Sequence, residues 1–204
     1  MKRTLFFILL LAICFTVSAG QAPAGDDFAV ISESFSTVPM VGTFKQTKTI
    51  GKSSRKLYSS GTVNIVPGEG IVWYMTEPYV SMLVVGKDHM TQSLRGGAPT
   101  RLDVSGNTTY LIVAQCMDSL FCGKFDLIQE QFTCETSVDD ENWSIRLKPK
   151  DKTISSFIAE VLMTGSSSLQ SLLLTEKTGN TILYEFTELV YRDLSEEELS
   201  VFEL

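Results

Sequence analysis

The sequence is poor in the residues that do chemistry. It holds one histidine in 204 residues, with four cysteines and six prolines. The single histidine, His89, excludes histidine pairs and imidazole-based metal clusters, and a lone histidine in a strand or turn is ordinarily structural. No G-x-S-x-G elbow is present: Ser59-Ser60-Gly61 falls inside a strand pattern. Gly68-Glu69-Gly70 and Gly96-Gly97 do not sit between a strand and a helix, and no phosphate-binding lysine follows, so they read as turns. Asp139-Asp140-Glu141 reads as a solvated hairpin tip rather than a calcium site. No catalytic residue, metal or cofactor is expected, and the chain reads as a non-enzyme.

Positive charge is also scarce. Residues 1–19 read as a secretory signal peptide: Lys2 and Arg3, an apolar run from Leu5 to Phe15, and the small-residue site Val17-Ser18-Ala19. The apolar run is too short to span a bilayer comfortably, and Ile13 is too bulky for a lipid-attachment site at Cys14. Losing Lys2 and Arg3 from 17 basic residues leaves 15 against 24 acidic ones, a net charge of −9. That sign opposes nucleic acid as a partner and suits adhesion to anionic lipid poorly. No later run is long enough to cross a membrane. Residues 20–204 have the length of one domain.

Three cysteines remain in the exported chain: Cys116, Cys122 and Cys134. An odd number allows at most one internal bridge. Cys116 and Cys122 point apart on a helix, so Cys122–Cys134 is the preferred pairing. The spacing matches no zinc site.

What the sequence does have is strand periodicity. Gly42 to Pro78 reads as three consecutive strands joined by polar or glycine turns, with Ile71, Trp73 and Met75 on one face of the third. An amphipathic helix over Asp26–Val38 precedes them, with Phe28, Ile31, Phe35 and Val38 on one face. Ser81–Val85 and His89–Leu94 follow as strands, then a loop over Arg95–Arg101. A second helix spans Asn107–Phe121, with Tyr110, Val113, Ala114, Met117 and Phe121 at helical spacing, and Gly123 ends it. Gln131–Val138 and Trp143–Lys148 form a hairpin, and Leu127–Phe132 has no clear period. Ser156–Met163, Leu169–Glu176 and Thr181–Tyr191 are three more strands, and Ser195 with Glu198 caps a terminal helix. Roughly nine to eleven hairpin-linked strands with the helices set apart define an α+β fold, an antiparallel sheet with helices on one side. The apolar residues exceed what one sheet face needs, which fits either a full core or a cavity for acyl chains.

The order Phe44-x-Gln46, Ser60-Gly61, Trp73-x-Met75-x-x-Pro78, Leu83-Val84-Val85, Trp143-x-Ile145-x-Leu147-x-Pro149 and Gly179-Asn180-Thr181 resembles the periplasmic outer-membrane lipoprotein carriers, the LolA family. The run Leu120-Phe121-Cys122-Gly123-Lys124-Phe125 resembles a divergent branch of it. The resemblance implies a curved antiparallel sheet, an incomplete β-barrel, closed by a helical lid over a hydrophobic cavity. It implies a monomeric carrier in the periplasm of a Gram-negative bacterium. Its partners would be acylated lipoproteins, an inner-membrane lipoprotein-release complex and an outer-membrane lipoprotein acceptor. The alternative it leaves is a periplasmic carrier or sensor of another lipid or acyl product. By position, Phe44, Ile71, Trp73, Met75, Leu83 and Val85 would line the cavity. Phe28, Ile31 and Phe35, with Tyr110, Val113, Met117 and Phe121, would belong to the lid. One feature departs from the better-known carriers: where they have an arginine shortly before the Trp73 strand, this chain has Val66-Pro67-Gly68.

Overall fold

The computed structural model describes residues 25–104 and 108–204. Their order is α1 (Gly25–Ser32), β1 (Met40–Ile50), β2 (Arg55–Val66), β3 (Gly70–Glu77), β4 (Ser81–Gly86), β5 (His89–Leu94), β6 (Thr100–Asp103), α2 (Thr108–Phe121), α3 (Phe125–Gln131), β7 (Phe132–Asp139), β8 (Asn142–Pro149), α4 (Lys152–Ser155), β9 (Ile158–Gly165), β10 (Leu169–Glu176), β11 (Thr181–Tyr191) and α5 (Glu196–Ser200), which runs into a 3-10 turn over Val201–Glu203. The strands make one eleven-stranded antiparallel sheet, ordered β6-β5-β4-β3-β2-β1-β11-β10-β9-β8-β7. β6 and β7 stand at opposite edges and do not pair, so the sheet curls without closing.

The β2–β3 seam carries one of several bulges in the sheet. The β2–β3 register slips between Ser60 and Gly61, and a Cβ at position 61 would land on the Tyr74 carbonyl oxygen. Only glycine lets the two strands approach that closely, and the bulge bends the sheet there. The concave face carries the main core, in which Val63, Ile145, Leu147 and Met163 are fully buried. A smaller cluster lies on the convex face, where Leu194 and Phe202 of the C-terminal segment cover Val66, Val72 and Val84.

The predicted first helix runs to Val38; the observed one stops at Ser32. Ser34 is the reason. Its hydroxyl donates to the Ser166 carbonyl (2.6 Å) and its carbonyl accepts from the Tyr191 hydroxyl (2.9 Å). These long-range bonds hold residues 33–38 as a strap in place of another helical turn. Position 100, inside the predicted loop, begins β6, which pairs with β5. The aperiodic segment near Leu127 is α3. A short helix, α4, precedes β9, its first turn capped by Asp151, which accepts from the amides of Thr153 (2.7 Å) and Ile154 (3.0 Å). The capping box at Ser195 and Glu198 is formed as expected. The signal-peptide residues lie outside the described part of the chain.

The expected Cys122–Cys134 bridge is not formed: all three cysteines are free thiols. The Cys122 thiol turns along α2 to Asp118 (3.6 Å), while that of Cys134 turns to the Phe132 carbonyl on β7 (3.7 Å).

Candidate functional site

The concave face is not packed throughout. A cavity of about 220 Å³ lies between the sheet and the helices α2 and α4. Its sheet wall is built by strand alternation. On β1, Phe44, Gln46 and Lys48 point inward; β3 adds Trp73 and Met75; β10 adds Leu172 and Leu174; β11 adds Ile182 and Tyr184. From above, α2 contributes Cys116, Met117, Leu120 and Phe121, and α4 contributes Ile154.

Trp73 is its centrepiece. The indole stands edge-on to Phe44 (centroids 5.1 Å apart) and tilted against Tyr184 (5.0 Å). Phe186 (6.2 Å) and Phe121 (6.4 Å) complete the group. Each such ring pair adds about 0.5–1.5 kcal/mol beyond area burial. Burial pushes the Tyr184 phenol up to about 12. The site therefore presents rings, methyls and sulfurs, with polar groups confined to one end.

That polar end is an ion pair. Lys48 meets Glu176 at 2.6 Å, and the Glu176 side chain is only 4% exposed. Burial pushes the Glu176 carboxyl up. Hydrogen bonds from Lys48, Asn180 and Thr178 outweigh that and hold it below the usual carboxylate range. Both charges are spent on each other.

Of the residues expected to line the cavity, Phe44, Trp73, Met75, Leu83 and Val85 lie in its wall. Ile71 does not: it is 1% exposed, packed in the core below, and its neighbourhood opens instead on a charged cleft near Glu69, Lys87 and Asp118. Of the expected lid residues, Met117 and Phe121 face the cavity. The side chains of Tyr110 and Val113 lie outside the described ones. Phe28, Ile31 and Phe35 lie elsewhere. Phe28 and Phe35 pack on Phe125 (5.3 and 5.4 Å), and Phe35 also packs on Trp143 (5.6 Å). The Trp143 indole N–H donates to Ser34 (2.9 Å) and to the Ser166 carbonyl (2.7 Å). α1 and its strap thus plug the end of the half-barrel at the β9–β10 turn, instead of roofing the cavity. The β10 and β11 contributors were readable from their alternation, but nothing in the sequence says which face of those strands is concave.

At Val66-Pro67-Gly68, just before the Trp73 strand, α2 is tethered to the sheet. Asp118 of α2 accepts from the Gly68 amide (2.8 Å) and from the Lys124 ammonium (2.8 Å). Burial pushes the Asp118 carboxyl up, these two donors pull it down, and the net direction is down, so the tether is charged at neutral pH. Gly123 ends α2 at φ +65°, with Phe35 packed where a Cβ would be (2.7 Å).

Cys116 gives a direct probe of the cavity. Burial, with a smaller contribution from Asp151, pushes its thiol up to about 11. At pH 8 its thiolate fraction is then roughly two orders of magnitude below that of a free cysteine. Labelling by a thiol reagent is expected to be slow by that factor in the folded protein, and a bound acyl ligand should slow it further. Mass mapping of the labelled cysteine over time measures both.

An apolar cavity inside an open antiparallel sheet, roofed by helices, defines a carrier and binding fold. The model of the outer membrane lipoprotein carrier protein LolA matches residues 36–199. The chain belongs to the LolA family, which is periplasmic in Gram-negative bacteria, and its sequence marks a divergent member. Among solved structures it is similar to a LolA superfamily protein from Nitrosomonas europaea, at 11% identity, with 82% of this chain and 94% of that one covered and a TM-score of 0.48. It is also similar to a protein described as an outer membrane lipoprotein-sorting protein domain from Vibrio parahaemolyticus, at 12% identity, 89% and 100% coverage and a TM-score of 0.44. A third is the complex of MucA and MucB from Pseudomonas aeruginosa, at 11% identity, 85% and 59% coverage and a TM-score of 0.41. No curated protein matches. Among the described residues no helix is long and apolar enough to cross a membrane.

Proposed function

We propose that the protein is a periplasmic carrier that shields the acyl chains of lipoproteins. It would receive them from an inner-membrane release complex and hand them to an outer-membrane acceptor. The observation that carries this reading is the cavity around Trp73, whose wall is mostly apolar, with Gln46, Ser81 and the Glu176-paired Lys48 as its polar groups apart from the Tyr184 phenol. Each acyl CH₂ removed from water is worth about 0.8 kcal/mol, so a diffusible carrier gains by covering as much of the chain as it can.

The cavity of about 220 Å³ is smaller than most ligand sites, which run to roughly 300–1,000 Å³. Loading a chain therefore requires α2 to lift, with Gly123 and the Asp118–Gly68 bond as hinge and tether. Asp118→Ala removes the bond from the Gly68 amide that ties α2 to the β2–β3 turn, worth about 1 kcal/mol, along with a local pair to Lys124 that does not cross to the sheet. Release of a fluorescent acyl probe is expected to be roughly fivefold faster in this variant, measured by stopped-flow displacement, with the melting temperature little changed.

The deciding experiment is intact mass spectrometry of the mature protein purified from its native periplasm. A triacylated lipoprotein bound one to one supports the proposal and identifies a client. A phospholipid or free acyl product in its place supports a carrier or sensor of another lipid. A protein that is empty and also fails to bind the acyl probe overturns both.

A further inference from the structure

This acidic protein carries a local basic patch at one end of its sheet. β1 carries the chain up to the turn at Gly51, and β2 brings it back. Between Lys45 and Lys56 stand five cations and no acid. Lys48 is spent on Glu176, but no ion pair reaches Lys52, Arg55 or Lys56 among the described residues, and all three are exposed. The same end holds the β3–β4 turn, where Arg95 lies over the Tyr79 ring (5.7 Å). Asp88, Asp139, Asp140, Glu141 and Asp193 at strand ends and loops, and Glu196 at the start of α5, stand at the other end, while one acid, Glu77, lies at the basic tip, where Ser60 donates to it (3.3 Å). The eleven residues of β1 separate the two ends by about 35 Å. That is several Debye lengths at physiological salt, so the acidic end does not cancel the field at the basic tip. Net charge is the wrong guide here; local charge decides.

The tip is also apolar. β2 outruns its neighbour: its pairing with β3 begins only at Ser60, which leaves Arg55 to Ser59 as a bare edge. Tyr58 is 66% exposed and Leu57 43%, and Tyr79, Val80 and Leu94 are exposed beside them. Tyrosines and small aliphatics ringed by cations are what a membrane interface selects: rings at headgroup depth, cations on the phosphates. The cavity wall reaches Lys48, Leu174 and Ile182, the level just short of this tip, while the opposite end is plugged by the strap at Ser34 and Trp143.

We propose that the β1–β2 hairpin, with the β3–β4 turn beside it, docks the protein on an anionic lipid bilayer and sets the cavity end-on to the membrane. This extends the carrier reading but does not depend on which lipid the cavity holds. The test is co-sedimentation of the mature protein with vesicles of pure phosphatidylcholine and of equimolar phosphatidylcholine and phosphatidylglycerol. Binding is expected only to the anionic vesicles and should weaken when salt rises from about 0.05 M to about 0.5 M. Each cation near such a surface contributes about fivefold to partitioning, so K52Q/R55Q/K56Q should lose roughly a hundredfold. The three residues lie outside the cavity wall, so acyl-probe affinity should be unchanged, which separates failure of docking from failure of the cargo site. Equal binding to both vesicle types, or no binding, overturns the proposal. So does a triple variant that binds vesicles like the wild type but self-associates, which would mean that the cations only guard the bare edge of β2.

Discussion

Trp73→Glu abolishes acyl-probe binding while leaving a folded protein. The substitution places a carboxylate among Phe44, Tyr184, Phe186 and Phe121, with no cation at hand, because Lys48 already serves Glu176. Trp73 is half-buried, so losing its ring costs at most the roughly 3–5 kcal/mol of a fully buried tryptophan. A domain of this size typically has about 5–15 kcal/mol to lose, so the fold survives. The new carboxyl is pushed up by its apolar surroundings. Its penalty is therefore full at neutral pH and eases as pH falls through its raised folded-state pKa. Acyl affinity should drop at least about a hundredfold at neutral pH, equivalent to about 3 kcal/mol, and recover in part in mild acid. Trp73→Phe keeps a ring in place and should lose far less. Fluorescence titration at two pH values reads all three results, and wild-type affinity in Trp73→Glu would remove this cavity from the function.

Lys48→Met has the second largest expected effect, and on stability. It leaves Glu176 buried with its hydrogen bonds from Thr178 and Asn180 but without its cation. Breaking a buried pair on one side costs about 3–5 kcal/mol. The pH dependence has a definite sign. In the wild type the folded-state Glu176 carboxyl is depressed, so its stabilisation is present above the unfolded value and is lost as pH falls through the folded one. In Lys48→Met burial dominates and the folded value rises. The gap between variant and wild type is then widest at neutral pH and narrows as acid neutralises Glu176. Urea melts at pH 7 and pH 4 measure it; an equal gap at both would mean that Lys48 acts by packing alone.

The strands were the most legible part of the fold. β10 and β11 follow from the alternation of Leu172 and Leu174, and of Ile182, Tyr184 and Phe186, between clear turn residues. Phe35 and Val38 keep the helical spacing of Phe28 and Ile31, but α1 stops at Ser32 because Ser34 is claimed by Ser166 and Tyr191 from over a hundred residues away. The short α4 carries no period in its four residues, and only the Asp151 cap marks it in the sequence. In the site, Phe44, Trp73, Met75, Leu83 and Val85 could be named in advance through the family pattern. Ile71 shares the face of Trp73 but sits one pleat deeper, where the sheet is filled. Face is set by periodicity; depth is set by what packs above it.

By itself the sequence determined the fold class, the thin catalytic inventory and the family, since alternation, turn residues and motif order are local and survive in one dimension. The tertiary structure decided what depends on the curl of the sheet. It decided that β10 and β11 wall the cavity with β1 and β3, that α1 plugs one end and does not roof the site, and that Asp118 tethers α2 to the sheet. It also decided that a chain rich in acid presents a basic tip. Net charge is a sum over residues, whereas the field a membrane meets is a sum over the charges within a Debye length, and only the packed chain fixes which those are.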